Sequence, residues 1–249
     1  MQARWRSIFE RLRPLLHWFG GLTPSVLVAL ALITASTWVF IEIADEVVEG
    51  ETGAFDEWLL RALRQPGNPA EPLGPSWVQE MGRDATALGG LGWLIFFTLV
   101  IAGFLWLDGK HRLVVFLLAA TGSGIVVSQT LKMLFARERP DVVPHLSHVM
   151  TSSFPSGHSL LSAVVYLTLG VMVAAAVPHT SQKIYALAVA VIITLIVGAS
   201  RVYLGVHYPT DVLAGWLAGL VWALVCWLVA RWLQRRGKIE REGETASQE

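Results

Sequence analysis

Residues 184–211 read IYALAVAVIITLIVGASRVYLGVHYPTD, an apolar run that ends in a short polar group. The apolar part, residues 184–204, has the length of about 20 residues that a helix needs to cross a lipid bilayer. Its end and the residues after it carry Arg201, His207 and Asp211. Ionisable groups at the end of a membrane helix are costly to bury, so this arrangement indicates a membrane protein with a functional site at one membrane face.

The composition of the whole chain also favours a membrane location. Of the 249 residues, 54% are hydrophobic and 15% are charged, whereas about 25% are charged in an ordinary soluble domain. The formal net charge is zero and no long basic run is present, so we expect no nucleic-acid partner. The single cysteine, Cys226, excludes a disulfide framework or a cysteine metal site within one chain.

Apolar runs of similar length predict an all-α, polytopic membrane protein with six transmembrane helices. The predicted spans are residues 22–43, 88–107, 113–135, 159–177, 184–204 and 212–232. The predicted organisation is a basic segment (1–21), a membrane domain (22–235) and a polar tail (236–249).

The distribution of lysine and arginine predicts the orientation, because short cytoplasmic segments collect these residues. Basic residues precede the first span and follow the last: Arg4, Arg6, Arg11 and Arg13, then Arg231, Arg235, Arg236, Lys238 and Arg241. We therefore expect a multi-pass protein of the inner (plasma) membrane with both termini in the cytoplasm. The polar group at residues 200–211 then faces the periplasm or the outside.

The connection between the first two predicted spans, residues 44–87, has a mixed pattern. It combines Phe55, Trp58 and Leu63 at helical spacing with a proline-rich stretch from Pro66 onward. This pattern predicts an amphipathic helix on the outer surface, followed by a loop. An ordinary solvated connector with some apolar content fits the same pattern equally well.

A second polar group contains Lys132 and Arg139 at the same predicted membrane face. On a continuous helix their spacing is close to two turns, so both cations would lie on one side until Pro140 ends the helix. Two fixed cations suit a phosphate group, although a single basic residue near a helix end is more often an interface anchor. Arg137 could meet a second phosphate, but an exposed arginine without a partner is the interpretation that we favour.

A third polar group, Pro155–Ser156–Gly157–His158, stands directly before the fourth predicted span. A helix start presents unpaired N–H groups that favour an anion, and Gly157 allows the backbone to approach it closely. Ser156 could donate a further hydrogen bond, and His158 would lie beside the bound group. A serine and proline helix cap with an incidental histidine is the alternative.

In the polar group at residues 200–211, Asp211 follows His207 by four positions. Asp211 can accept the Nδ1–H of His207, which would fix the tautomer and leave Nε2 free to attack. Arg201 adds a third cation. A lone His–Asp pair in a loop is usually structural. Three polar groups at one membrane face would not arise by independent accident, so together they indicate a functional site.

Taken together, these groups resemble the three-part signature of the type II phosphatidic acid phosphatase family. The matching residues are Lys132–Arg139–Pro140, Pro155–Ser156–Gly157–His158 and Ser200–Arg201–His207–Asp211. That superfamily also includes lipid phosphate phosphatases, glucose-6-phosphatase and the vanadium haloperoxidases. The resemblance spans residues 132–211 and leaves residues 44–87 outside it.

The resemblance implies a helical core and a role for each matching residue. His207 resembles the nucleophile that forms a phosphohistidine, Asp211 orients it, and His158 resembles the general acid. The implied phosphate-binding residues are Lys132, Arg139, Ser156, Gly157 and Arg201. No metal or cofactor is expected, because the three cations would oppose a metal ion at the same site.

The leading hypothesis is a phosphomonoesterase or pyrophosphatase that acts on a lipid phosphate in the bilayer. Phosphotransfer to another acceptor is an alternative within the same superfamily, and a non-catalytic transporter or lipid-binding scaffold is an alternative from another class. Candidate substrates are a polyprenyl pyrophosphate such as undecaprenyl pyrophosphate, phosphatidylglycerophosphate, phosphatidic acid and a lipid A phosphate. The sequence leaves the choice among them open, and also the oligomeric state.

Overall fold

The computed structural model describes residues 23–147 and 151–239, which are mostly helical, as predicted. The helices in chain order are α1 (Pro24–Glu49), α2 (Gly53–Ala62), α3 (Ser76–Ala87), α4 (Leu91–Leu107), α5 (His111–Phe135), α6 (Gly157–Ser162), α7 (Thr168–Ala176), α8 (Thr180–Tyr203) and α9 (Pro209–Arg235). An antiparallel hairpin, β1 (Arg64–Gln65) and β2 (Asn68–Pro72), separates α2 from α3. A π-helical turn, Ala163–Leu167, joins α6 to α7.

Five helical stretches of the described residues are long and apolar enough to cross a membrane. These are α1, α5, the stretch Gly157–Ala176, α8 and α9. Helices α3 and α4, bent by 53° at a short break, together would provide a sixth span. The finding is therefore a multi-pass fold with five to six candidate spans, each predicted span overlapping one of these stretches. The predicted basic segment (1–21) and residues 240–249 of the predicted tail lie outside the described residues.

Contacts between α1 and α9 show which helix ends lie together. Arg231, near the end of α9, donates hydrogen bonds to Ser25 Oγ at 3.1 Å and Thr23 Oγ1 at 2.8 Å, at the start of α1. Helix α9 has 27 residues, which corresponds to a length of about 40 Å. The start of α1 therefore lies at the opposite end of the bundle from the start of α9.

Helix α9 packs against α1, α6 and α8, and two of its glycines face α6. A Cβ atom on Gly215 would lie 2.6 Å from the carbonyl oxygen of Ser156, and one on Gly219 would lie 2.5 Å from that of Leu160. Small residues one helical turn apart let membrane helices approach closely. This contact places the first turns of α6 and α9 side by side.

The connecting segment, which we define as residues 53–87, packs on the ends of α8 and α9. Leu60 is fully buried in a cluster that includes Val202 of α8 and Val212 of α9. Arg64 donates to the carbonyl oxygen of Tyr203, the last residue of α8, at 3.0 Å. A loop was predicted after the amphipathic helix of this connection. The structure instead has the hairpin and α3 after α2.

Helix α5 ends at Phe135, because Ala136 adopts the left-handed conformation with a φ of 44°. Pro140 therefore does not end the helix, and Arg139 lies in the irregular chain that follows. The prediction that Lys132 and Arg139 share one face of a continuous helix was wrong. The two cations come together because the chain after Ala136 turns back across the helix ends.

Candidate active site

His207 lies between α8 and α9 and is buried, with 1% of its surface exposed. Its Nδ1 is 3.4 Å from Oδ2 of Asp211 and 3.3 Å from Oγ of Ser153, and its Nε2 is 3.2 Å from Nη1 of Arg139. A guanidinium only donates hydrogen bonds, so these partners assign the imidazole proton to Nδ1 and make Nε2 the acceptor. Nε2 therefore carries the lone pair that a nucleophile needs.

Asp211 lies in the first turn of α9, where Pro209 occupies the first helical position. Its Oδ2 accepts the backbone N–H of the capping residue Tyr208 at 2.9 Å and also the hydroxyl of Ser153. Its Oδ1 accepts a hydrogen bond from Arg137 Nη1 at 2.8 Å. Both oxygens of this fully buried carboxylate are thus engaged, which compensates for its removal from water.

Arg139 is fixed by contacts on both sides of its guanidinium. Nε donates to the carbonyl oxygen of Thr151 at 2.7 Å, and Nη1 donates to that of Val206 at 2.6 Å. The same Nη1 lies beside Nε2 of His207, as described above. The cation is consequently held with one of its nitrogens against Nε2 of His207.

Lys132 is buried in the last turn of α5, close to the start of α6. Its Nζ donates to the carbonyl oxygen of Ser152 at 2.5 Å, and Ser152 Oγ donates to the carbonyl oxygen of Lys132 at 3.0 Å. A Cβ atom on Gly157 would lie 3.1 Å from Cε of Lys132. Glycine at this position therefore leaves space for the lysine side chain to pass.

Ser156 caps the N-terminus of α6, the helix that carries His158. Its Oγ accepts hydrogen bonds from Ser159 N at 3.4 Å and from Ser159 Oγ at 3.0 Å, so its own O–H is not used in these capping contacts. The electrostatic neighbours of His158 are Arg201, His207, Lys132 and Arg139. The structure thus brings both predicted histidines into one cluster.

Arg201, in the last turn of α8, is 2% exposed. Its Nη1 donates to Thr86 Oγ1 at 2.8 Å, while its Nε is buried without a hydrogen-bond partner among the described residues. An unsatisfied buried donor is costly, and an anion in the cluster would provide the acceptor that this group lacks. Arg201 is therefore positioned as the third cation of the site.

The electrostatic environment keeps His207 neutral. Burial lowers the pKa of His207 to about 3; Asp211 opposes this shift, whereas Arg139 and Arg201 add to it. A neutral imidazole with its proton on Nδ1 is the form required for nucleophilic attack. Arg139 and Arg201 thus help to keep His207 unprotonated.

Comparison with known proteins places this arrangement in a family. Residues 112–235 match the PAP2 superfamily, and this range contains every predicted site residue. Over 186 residues the chain is 32% identical to phosphatidylglycerophosphatase B of Bacillus subtilis (strain 168), covering 73% of this chain and 86% of that relative. The chain belongs to the PAP2 superfamily.

Two further comparisons extend the likeness, the first of them to the fold. The crystal structure of a transmembrane PAP2-type phosphatidylglycerolphosphate phosphatase from Bacillus subtilis matches with a TM-score of 0.72 and 28% identity, covering 82% of this chain and 98% of that one. An undecaprenyl-diphosphatase of Sulfolobus acidocaldarius is 34% identical over 100 residues, which are 38% of this chain and 44% of that protein. The predicted family and the predicted phosphatase class are confirmed.

Arg137 contradicts the prediction made for it. It was expected to be exposed without a partner, but its side chain is only 16% exposed and forms ion pairs with Asp56 and Asp211, each at 2.8 Å. Burial alone would lower the pKa of Arg137, but Asp211 and Asp56 together raise it above its ordinary value. The prediction was wrong because both carboxylates are far from Arg137 in sequence.

Ser153, Thr86 and Asp56 also contact site residues and were missed by the sequence interpretation. Ser153 lies two positions before the PAP2 motif Pro155–His158, so only its proximity to that motif could have suggested it. Thr86 and Asp56 lie in the connecting segment, outside the range that matches the family. No local pattern pointed to either residue, since the contacts of Asp56 with Arg137 and of Thr86 with Arg201 join parts of the chain that are 81 and 115 positions apart.

No group of three or more His, Cys, Asp or Glu side chains within residues 23–147 and 151–239 is placed to share a metal ion. The positive groups of this PAP2 site, Lys132, Arg139 and Arg201, lie within electrostatic range of one another. Their charge would oppose binding of a cation near His207. Independence from metal stays a prediction, which a chelator can test.

Proposed function

We propose that this PAP2 protein removes a phosphate group from a lipid phosphomonoester or pyrophosphate, through a phosphohistidine at His207. The observation that carries the proposal is the hydrogen bonding of the imidazole. Its Nδ1 faces Asp211 at 3.4 Å, and its Nε2 lies 3.2 Å from the guanidinium of Arg139. A phosphate group that takes over the hydrogen bond from Arg139 would therefore lie against Nε2, the nitrogen that carries the lone pair.

In the first chemical step, Nε2 of His207 attacks phosphorus. The P–N bond forms as the bond from phosphorus to the leaving oxygen breaks, and His158 donates a proton to that oxygen. Asp211 stabilises the positive charge that develops on the imidazole ring. In the second step, water attacks phosphorus, His158 accepts a proton from the water, and the P–N bond breaks to release inorganic phosphate.

The cations of the site would stabilise the phosphoryl group during transfer. Lys132, Arg139 and Arg201 would bind its oxygens, with the Ser156 hydroxyl and the Gly157 amide as further donors. Because these groups are fixed in advance by protein contacts, little reorganisation is needed when charge develops in the transition state. No cofactor or metal takes part in this scheme.

The arrangement of helix ends supports a site at one membrane face. Helices α5 and α8 end at the cluster, and α6 and α9 begin there. With the basic termini in the cytoplasm, the site faces the periplasm or the outside of an inner (plasma) membrane. The lipid then stays in the bilayer while its head group enters the cluster.

The named relatives guide the choice of substrate. The relatives described above are a phosphatidylglycerophosphatase and an undecaprenyl-diphosphatase. We therefore place phosphatidylglycerophosphate and a polyprenyl pyrophosphate first among the substrates to test, with phosphatidic acid and a lipid A phosphate beside them.

The deciding experiment measures inorganic phosphate released from these lipids by the detergent-purified chain. His207→Ala is compared with His179→Ala, a matched control because His179 is an exposed histidine at the N-terminus of α8, the end of that helix remote from Arg201. We expect release by wild type and by the control, and none by His207→Ala. Release that survives His207→Ala would refute the phosphohistidine mechanism, and consumption of lipid phosphate without release of inorganic phosphate would indicate phosphotransfer.

A further inference from the structure

Asp56, in the first turn of α2, is a fully buried carboxylate surrounded by donors. Its Oδ1 accepts the backbone N–H of Thr210 at 3.1 Å. Its Oδ2 accepts the hydroxyl of Thr210 at 2.7 Å and Nη2 of Arg137 at 2.8 Å. Asp56 is therefore a buried charge with several hydrogen-bond partners, as a buried carboxylate requires. It differs in this from solvent-exposed ion pairs, which contribute little to stability.

Arg137 connects this carboxylate to Asp211. Its Nη2 binds Asp56, its Nη1 binds Asp211 Oδ1 at 2.8 Å, and its guanidinium lies 4.3 Å from the centre of the Tyr208 ring. Nη1 also donates to Thr210 Oγ1 at 3.0 Å. A planar guanidinium held at both nitrogens and over an aromatic ring has one orientation, which a lysine ammonium cannot reproduce.

The two oxygens of Asp211 divide their contacts between this pair and the histidine. Oδ1 faces Arg137, whereas Oδ2 faces Ser153, Tyr208 N and Nδ1 of His207. Tilting the plane of the carboxylate away from this arrangement would break several of these contacts at once. Arg137 thus helps to fix the plane in which the Asp211 carboxylate faces His207.

We propose that Asp56 and Arg137 are positioning residues, through which the connecting segment orients Asp211 and, through it, the imidazole of His207. This proposal rests on the proposed function, since it assigns the pair a part in the phosphohistidine reaction. Asp56 lies outside the range that matches the PAP2 superfamily. The pair contacts neither the reacting nitrogen nor the three cations that would bind phosphate, so its loss affects the rate of the reaction more than binding.

The test compares Asp56→Asn and Arg137→Lys in the full-length, detergent-purified chain. Asp56→Asn keeps the shape and the acceptor for Thr210 but removes the charge, and Arg137→Lys keeps the charge but not the planar fork. The matched control is Glu57→Gln, which breaks an exposed pair with Arg61 on the same helix. Asp56→Glu tests whether a carboxylate at this position restores activity.

We expect both variants to lower kcat by about 10-fold to 100-fold, by analogy with the loss seen when the hydrogen-bond partners of metal-binding side chains are removed. KM and inhibition by inorganic phosphate should change by less than about twofold, since Lys132, Arg139 and Arg201 keep their contacts. Asp56→Glu should recover part of the loss, and Glu57→Gln should behave as wild type. Wild-type kcat in both variants would overturn the proposal, as would an equal loss of kcat, phosphate inhibition and melting temperature.

NMR of the histidine ring nitrogens provides a readout that needs no turnover. The His207 signals, identified by their absence in His207→Ala, should shift in Asp56→Asn and Arg137→Lys and stay in place in Glu57→Gln. If wild type hydrolyses no lipid, the proposed function fails and the NMR result alone decides the positioning role. Shifted His207 signals then support that role, and unshifted signals overturn it.

Discussion

Residues 132–211, from the last turn of α5 to the first turn of α9, carry the ionisable groups that would contact a phosphate. The connecting segment instead carries groups that hydrogen-bond to side chains of that region. Asp56 acts on Arg137, and Thr86 acts on Arg201. The first region matches the PAP2 superfamily over residues 112–235, and the second lies outside that match. The difference teaches that the groups proposed to react and the groups that contact and hold them need not share one part of the chain.

The largest effect is expected within the matched helices. Asp211→Asn should lower kcat by about 10⁴-fold, as the corresponding change does in a catalytic triad, because the amide favours the wrong tautomer of His207. Phosphate release under saturating lipid measures this loss. If Asp211→Asn lowered kcat no more than Asp56→Asn does, the two regions would not differ in the way proposed, since Asp211 contacts His207 whereas Asp56 acts through Arg137.

Loss of one cation should have the next largest effect. Arg139→Gln should lower kcat/KM by about 10²-fold to 10³-fold, since a preorganised donor to the transferred group is lost. Initial rates over a range of lipid mole fractions measure it, with Arg83→Gln as the control for loss of an exposed arginine. A change below tenfold would argue that Arg139 does not contact the phosphoryl group.

A smaller effect is expected from the connecting segment. Thr86→Val removes the hydroxyl that accepts from Arg201 at 2.8 Å but preserves the side-chain shape. A hydrogen bond to a charged group contributes about 1.5–3 kcal/mol, so KM should rise by roughly 10-fold to 100-fold. The comparison with Asp56→Asn is informative, because that variant should change kcat and leave KM nearly unchanged. An unchanged KM in Thr86→Val would show that Arg201 does not need this partner.

The effect of pH on the stability of the fold should be smaller than these effects on activity. The pKa of His207 is lowered to about 3, whereas the unfolded chain protonates histidine near pH 6.5. The folded state therefore binds fewer protons between these values, so the contribution of His207 is complete above about pH 6.5 and declines by up to about 1.4 kcal/mol per pH unit on acidification. Melting temperatures of wild type and His207→Asn between pH 7 and pH 4.5 measure this difference. Parallel curves would show that His207 is not buried in its neutral form.

The smallest expected effect is that of a chelator. Phosphate release in excess EDTA should equal that of the untreated enzyme, because the charges of Lys132, Arg139 and Arg201 take the place of a metal ion at the phosphate. Loss of activity that one divalent metal restores would contradict this expectation and place a cation beside His207.

Much of the site could be anticipated from the sequence. Lys132, Arg139, His158, Arg201, His207 and Asp211 stand in motifs whose spacing marks them, and the structure places them in one cluster. Their individual roles stay predictions until the variants are measured. The prediction that a continuous helix brings Lys132 and Arg139 together was wrong, since α5 ends at Phe135 and the chain that follows is irregular.

Hydropathy alone determined that this chain forms membrane helices, because burial of an apolar run in a bilayer depends on local composition. The motifs likewise indicated the side chains to which we assign phosphate binding and transfer in the proposed function. Only the tertiary structure decided that Arg137 is held between Asp56 and Asp211. A buried arginine pairs with whichever carboxylates the packed helices bring within about 3 Å of it. Those carboxylates are distant in sequence, so the spacing of residues along the chain does not predict the pairing.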